Sequence, residues 1–200
     1  MVRQERAIRT RQAILEAAAT LFDELGYEGT STTDIIMRSG LTRGALYHHF
    51  PSKESIAVAL VDAQTEALEA PERELRLQSL IDLTFAYARK LQTDPVLRAG
   101  VRLTVEQASF RSHGSRPYRV AEEAVLPQLQ RAAEAGELLP GVNTREVTEF
   151  IVGAFTGVQL VSHVYSERQD LLERVSAMWR LLLPGLAVPG LLVRLRMTPP

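Results

Sequence analysis

The stretch SGLTRGALYHHFPSKE, residues 39–54, packs several helix stop and start signals into one short run. Gly40 ends the segment STTDIIMRSG, where Ser31 or Thr32 can cap a short helix with Asp34 in its first turn. Thr42 can cap the next helix, RGALYHHF, which Pro51 terminates. Ser52 then caps KESIAVALVDAQTEALEA, with Glu54 near its positive N-terminus. Upstream, Ile14, Ala18, Leu21, Phe22 and Leu25 follow helical spacing, and Gly26 stops that pattern. Three helices within about 45 residues, the second and third joined by a glycine turn, predict a helix-turn-helix over residues 1–53.

The formal net charge of −1 conceals a polarised N-terminal region. Residues 1–12 hold Arg3, Arg6, Arg9 and Arg11 against Glu5, and residues 35–53 hold Arg38, Arg43 and Lys53 with no acid. The acids Glu16, Asp23, Glu24, Glu28 and Asp34 lie between, so one positive face is expected. Because 21 of the 23 basic residues are arginine, a compositional bias towards Arg weakens the meaning of any single one. The 46% apolar content describes a globular chain. With no cysteine there is neither a disulfide framework nor a thiolate metal site, which fits a reducing cytoplasm. No apolar run is read as a membrane span, and MVRQERAIRTRQ lacks the apolar core of a signal peptide. A cytoplasmic location and no membrane partner are expected.

After a hinge at Pro71 the chain reads as helix upon helix. Leu77, Leu80, Ile81, Thr84, Ala88 and Leu91 stripe one, and Asp94-Pro95 opens another through RAGVRLTVEQ. FRSHGSRP is read as a loop, Tyr118–Ala135 as a helix kinked or broken by Pro127, and GELLPGVN as a further loop. TREVTEFIVGAFTGVQLVSHV is apolar nearly all round and should be buried on two sides. One stripe holds Val147, Phe150, Ile151, Ala154, Val158 and Val161, the other Gly153, Gly157, Leu160 and Val164. Leu171, Leu172, Val175, Met178, Trp179 and Leu182 stripe a last helix. The expected fold is all-α: a helix-turn-helix domain (1–53), a helical ligand-binding and dimerisation domain (54–187) and a poorly ordered tail (188–200).

The 39–54 stretch resembles the recognition segment of TetR-family repressors, matching at Gly40, Thr42, Gly44, Leu46, Tyr47, His49, Phe50, Lys53 and Glu54. The resemblance implies operator DNA as partner. Arg43 opens the recognition helix, where it can reach a guanine edge, and Gly44 admits close backbone approach. Tyr47 offers a hydroxyl and a flat ring, while Thr32, Thr33, Thr42, His49 and Lys53 are placed for phosphates; His48 completes the set. Leu46 and Phe50 read as core. Adjacent His48 and His49 do not share a helical face and have no third ligand nearby, so no metal and no cofactor are expected.

The remainder resembles the γ-butyrolactone autoregulator receptors of antibiotic-producing bacteria. The carrying segments are RAIRTRQAILEAAA, TRGALYHHFPSKE, VLRAGVRLTVEQ, AGELLPGV and VGAFTGVQLVS. The implied function is a ligand-responsive repressor of antibiotic or secondary-metabolite genes. Two departures stand out. These receptors usually carry an aromatic where this chain has His48, and many carry a pocket Trp at the position that falls near Ala121. Members without that Trp resemble pseudo-receptors, which answer to antibiotics, their intermediates or other small signals.

A gated repressor needs an apolar site with a few polar groups that fix orientation. Its candidate wall is Phe85, Tyr87, Leu103, Gln107, Tyr118, Phe155, Gln159 and Trp179, any of which could instead be plain core. Gln107, Gln159 and His163 are polar on otherwise apolar segments. Gly153 and Gly157 form a small-xxx-small pattern, which with Leu160 and Val164 marks the expected homodimer face, the Trp179 helix beside it. An enzyme is not expected: the sequence has no G-x-S-x-G elbow, phosphate-binding glycine loop or metal-ligand cluster, and His113 beside Ser112 and Ser115 lacks an orienting acid. A non-specific architectural DNA protein is disfavoured by the net charge.

Overall fold

The computed structural model describes residues 2–64, 68, 70–106 and 116–200. Its helices are α1 (Val2–Leu25), α2 (Thr32–Ser39), α3 (Arg43–His49), α4 (Lys53–Ala63), α5 (Arg76–Thr93), α6 (Pro95–Glu106), α7 (Arg116–Glu134), α8 (Thr144–Ser166), α9 (Leu171–Leu182) and α10 (Pro189–Leu192), with a 3₁₀ turn at Leu183–Gly185. The sheet-like pairing among the described residues is an isolated antiparallel bridge, Leu138 to Ala187. The chain forms two compact units: Met1–Ala67 with Asp94–Pro117, and Leu68–Thr93 with Tyr118–Pro200.

In the first unit, Ser31 caps α2 and exchanges hydrogen bonds with Asp34, a capping box that holds the Asp34 carboxyl below the usual carboxylate range. Gly40 ends α2 at φ 65°, the left-handed conformation that costs glycine least. Thr42 caps α3 and Ser52 caps α4. Ile14, Ala18 and Phe22 of α1, Ile35 of α2, Leu46 of α3, and Ile56 and Leu60 of α4 share one buried core. That core also contains Ala99 and Leu103 of α6. A Cβ at Gly100 would stand 2.5 Å from the Leu60 carbonyl oxygen, so glycine is what lets α6 lie this close to α4. Arg98 Nε donates to Asp23 Oδ2 at 2.9 Å and the Tyr27 amide to Glu106 Oε2 at 3.3 Å, tying α6 to the end of α1. The compact body around the helix-turn-helix therefore extends past residue 53 to include α4 and α6.

In the second unit Leu77, Leu80, Ile81, Phe85, Ala88 and Leu91 of α5 are fully buried, as are Val175 and Trp179 of α9. Glu137 lies outside α5 in sequence yet caps it, its carboxylate accepting from the Arg76 and Leu77 amides at 2.8 Å each. In the first unit, Asp94 caps α6 in the same way, accepting from the Val96 amide at 2.8 Å; the second unit has a further carboxylate of this kind. Asp170 accepts from Ser162 Oγ at 2.5 Å, Ser166 Oγ at 2.6 Å and Arg174 Nε at 2.6 Å. These bonds, the two serines foremost, hold its carboxyl at about 2. Because the folded value lies below the unfolded one, this stabilisation is complete above the unfolded pKa, near 4, and disappears as pH falls through about 2. Asp170→Asn should therefore lower neutral-pH stability while flattening the acid limb of the stability–pH curve, which urea titrations from pH 7 to 2 would read.

One expectation narrows and two change. Of the two outcomes expected at Pro127, a kink or a break, the break does not occur: Pro127 lies inside α7, which is continuous from Arg116 to Glu134. The tail is not loose: Leu191 and Leu195 are buried, the Val188 amide donates to the Glu137 carbonyl at 3.0 Å, and Arg196 pairs with the buried Asp82 at 3.6 Å. Asp82 already accepts from Arg73 Nε at 2.7 Å, so Arg196 is a second, longer partner that the sequence does not show. Of the apolar stripe through α8, Ile151 is buried but Phe150 and Val161 are exposed, because Thr148, Ile151, Gln159 and Ser162 form the inward face. By length and composition alone α8 passes as a candidate span, 23 residues long with an 18-residue window of mean hydropathy 1.3, but a single such helix is weak evidence and leaves the expectation of no membrane partner standing. The loop expected at FRSHGSRP and the last turns expected of the Ser52-capped helix fall largely outside the described residues.

Candidate DNA-reading face and effector site

Leu46 and Phe50 anchor α3 in the core, so the opposite side of this short helix faces outward. Arg43, Gly44, Tyr47 and His48 are exposed there, and His49 is half-buried. The Arg43 guanidinium lies 5.6 Å from the Tyr47 ring centroid, and the Tyr47 hydroxyl is 3.3 Å from Thr32 Oγ1. Cation–π contact and hydroxyl pairing thus restrict both side chains, the candidates for base reading. Thr42 Oγ1 accepts from the Ala45 amide at 3.2 Å, which leaves its proton as a donor to a phosphate. Thr33 is exposed, and a Cβ at Gly44 would meet nothing within 4 Å, so the backbone is open to close approach there.

Lys53 has a role that sequence did not reveal. Its ammonium donates to the Tyr27 and Thr30 carbonyls at 2.9 Å each and lies 4.1 Å from the Tyr27 ring centroid. Two of its three donors hold the α1–α2 connection, leaving one for a phosphate. Lys53→Met should cost about 1–3 kcal/mol for the lost charged hydrogen bonds, or about 2–4 °C of Tm per kcal/mol. The expected result is a lowered melt with a nearly unchanged salt dependence of DNA binding. A slope shallower by about one per subunit, at unchanged Tm, would instead mark a phosphate grip.

The candidate effector residues separate. Leu103 belongs to the first unit's core, and Gln107 lies outside the described residues. Phe85 and Trp179 are fully buried, and the Trp179 indole N–H donates to Thr84 Oγ1 at 2.8 Å, so that donor is taken. Tyr87 meets Phe155 edge-on, centroids 5.7 Å apart at 74°. Burial raises the Tyr87 phenol pKa, the nearby Tyr118 adds to the rise, and Arg168 opposes it. Burial also raises that of Tyr118. One turn beyond Phe155, Gln159 is 3% exposed and its Oε1 has no hydrogen-bond partner among the described residues. Such an acceptor ordinarily costs free energy unless something meets it. Arg168, missed by sequence reading, is buried at φ 69° with Nη1 3.1 Å from His163 Nδ1, and no local pattern announces it.

On α8, Gly153, Gly157, Leu160 and Val164 are all exposed, and a Cβ at either glycine meets nothing within 4 Å. Phe150, Val161 and Tyr165 extend this face, Val164 and Tyr165 being 73% and 77% exposed. No group of three or more metal-ligating side chains occurs among the described residues.

Residues 14–60 match the pattern described as bacterial regulatory proteins of the tetR family, and residues 75–189 match the tetracyclin repressor-like C-terminal domain. The A-factor receptor protein of Streptomyces griseus is 39% identical over 196 residues, covering 98% of this chain and 70% of that protein. The full-length crystal structure of TylP, a TetR regulator from Streptomyces fradiae, aligns with TM-score 0.85 at 43% identity, over 96% of this chain and 93% of that one. A γ-butyrolactone receptor described as ArpA-like aligns with TM-score 0.78 at 30% identity, over 94% of each chain. A short capped helix seated in the first unit's core, joined to a helical second unit and matched along nearly the whole chain, has one family assignment: this protein belongs to the TetR family of bacterial regulatory proteins.

Proposed function

We propose that the chain is a ligand-responsive transcriptional repressor. It binds pseudo-palindromic double-stranded operator DNA as a homodimer and is released by a small signalling molecule of the γ-butyrolactone autoregulator type, controlling antibiotic or secondary-metabolite genes. Its mode of action is binding rather than catalysis. The observation that carries the reading is α3, a helix capped at Thr42 and anchored by Leu46 and Phe50, which leaves Arg43, Gly44 and Tyr47 outward. Arg43 and Tyr47 read bases or the adjoining backbone, and Thr32, Thr33, Thr42, His48 and His49 set register. The reading heads of the dimer should stand roughly 34–40 Å apart, about one turn of DNA or slightly more. The A-factor and γ-butyrolactone receptors among the relatives support the effector class. Functionally, residues 1–53 are the DNA reader and 54–187 the effector and dimerisation part.

Release follows if the effector binds the DNA-incompetent dimer better than the competent one, since equal affinity shifts nothing. The chain passes from α5 to α6 at Thr93–Asp94, and α6 packs on α4 through Gly100, a route by which effector binding can reach the reading head. Gln159 favours an effector that presents a hydroxyl or amide proton to its buried Oε1. Gln159→Leu should weaken effector response about tenfold or more, the scale of one buried hydrogen bond, while leaving DNA affinity unchanged. A second reading, a pseudo-receptor answering to an antibiotic or biosynthetic intermediate, is favoured by Ala121, where the resemblance expects a pocket Trp. The test is a gel-shift salt series on DNA upstream of the chain's own coding sequence and on a random duplex of equal length. Preference for the upstream fragment that persists at high salt is expected; equal affinities with equal slopes would reduce the protein to a non-specific binder.

A further inference from the structure

Within the second unit, residues 191–200 grip the first turns of α5 and the chain that leads into it. Leu191 and Leu195 are buried and seat this stretch. The Gln78 side chain takes the Arg196 peptide at both ends. Its Oε1 accepts from the Arg196 amide at 2.8 Å, and its Nε2 donates to the Arg196 carbonyl at 3.1 Å. Arg196 Nη2 lies 3.6 Å from Asp82 Oδ1, and Arg194 Nη2 donates to Glu74 Oε1 at 3.2 Å. Farther along, Arg89 donates to the Pro200 carbonyl. Residues 196–200 therefore run beside α5 from Gln78 to Arg89, about three turns of helix. Asp82 is where this strap meets the connection from α4. Its side chain is 2% exposed; Oδ2 accepts from Arg73 Nε at 2.7 Å and Oδ1 from Gln78 Nε2 at 2.8 Å. A buried carboxylate holds its partners, because losing one strands charge away from water. The exposed Arg194–Glu74 pair adds little by itself. One buried acid thus joins Arg73, ahead of α5, to Arg196 near the other end of the second unit's sequence.

We propose that residues 191–200 are a coupling strap: through Gln78 and Asp82 they fasten the α4–α5 connection to α5, so that helix and connection shift together when effector binds. This rests on the proposed ligand-gated release. Helix α5 carries Phe85 and Tyr87 of the candidate effector site and passes at Thr93–Asp94 into α6, which packs on α4 through Gly100. A shift of α5 then reaches α4 from both of its ends, through α6 and through the fastened connection. Without the strap the first path remains and the second slackens: the Arg73 amide still donates to Ser79 Oγ at 3.0 Å, but Asp82 and Glu74 lose their partners from the strap. Arg196 is a positioning residue, acting through Asp82 and Gln78.

The test uses the full-length protein, with amide hydrogen exchange read by mass spectrometry and release from its own upstream DNA titrated with extract of the source organism's culture. Arg194→Gln/Arg196→Gln should speed exchange in residues 70–75 as well as in 191–200, although neither substitution lies in the first stretch. The variant should need about two- to thirtyfold more extract for half-release, the range in which substitutions between coupled sites act, with DNA affinity unchanged. Arg194→Lys/Arg196→Lys keeps both charges and should respond nearly as wild type. A strap that only stabilises the fold would lower Tm and leave the extract requirement where it was. Faster exchange confined to 191–200, or an unchanged extract requirement beside faster exchange at 70–75, overturns the proposal. Extract that fails to release the wild-type protein would instead sink ligand gating, a distinct result, and exchange at 70–75 would still decide whether the strap holds the connection.

Discussion

Gly157→Leu is expected to convert a stable dimer into a protein that is largely monomeric at micromolar concentration, weakening association about 100-fold or more. The argument turns on where the new side chain would go. Within the protomer a Cβ at Gly157 meets nothing within 4 Å, and leucine in place of a helical glycine gains roughly 0.5–1 kcal/mol of propensity. The substitution should leave the isolated protomer unharmed, so any loss must arise against a facing subunit. Phe150, Gly153, Leu160, Val161, Val164 and Tyr165 expose an apolar face around it, larger than a lone solvent-facing helix would keep. Small residues four apart let a second α8 approach closely, and a leucine there pushes it away. Since one small reading head rarely binds tightly alone, operator affinity should fall with dimerisation. Sedimentation velocity across a concentration series reads the first effect. An unweakened dimer would move the interface off α8.

The second large effect belongs to α3. Arg43→Ala removes the guanidinium that lies over Tyr47, and if it reads a guanine the loss is about 1–3 kcal/mol per head, roughly doubled in a dimer. Specificity should relax at one base pair per half-site, while the salt slope changes by no more than one phosphate contact. Tyr47→Ala should cost a similar amount, because it removes both the hydroxyl near Thr32 and the ring that positions Arg43. Tyr47→Phe separates the two roles: it keeps the ring and loses only the hydroxyl. A gel-shift series with single-base operator variants reads these effects. A uniform loss across all sequences, with a shallower slope, would reassign Arg43 to phosphate.

What was legible in the sequence was local. Caps at Thr42 and Ser52 and stops at Gly26 and Gly40 work within a few residues, so the helix-turn-helix could be read without coordinates. The stripes of α5 and α9 were equally plain, because burial there follows helical period. What escaped the reading depends on contacts far apart in the chain. Glu137 caps α5 from 60 residues away, Asp82 draws Arg196 from the tail, and Lys53 holds carbonyls that precede α2. No periodicity encodes such partners. The α8 stripes misled for another reason: a helix apolar on every side gives no sign of which side its own protomer covers. Leu103 looked like a pocket residue because an apolar residue on an amphipathic helix reads the same whichever core it enters.

The claim at the centre of this account is that a small molecule bound by the second unit releases DNA held by the first. The direct measurement is titration of the complex between the dimer and its own upstream DNA, followed by fluorescence anisotropy, with a simple γ-butyrolactone and with extract of the source organism's culture. By linkage, whatever releases the DNA must bind the DNA-free dimer more tightly, by the same factor in which DNA weakens the effector. The account predicts that culture extract dissociates the complex and that Gln159→Leu blunts this response without altering DNA affinity; strong release by the lactone as well supports the autoregulator reading, and weak release by it beside strong release by the extract supports the pseudo-receptor reading. A complex unmoved by lactone and extract alike would contradict ligand-gated repression itself.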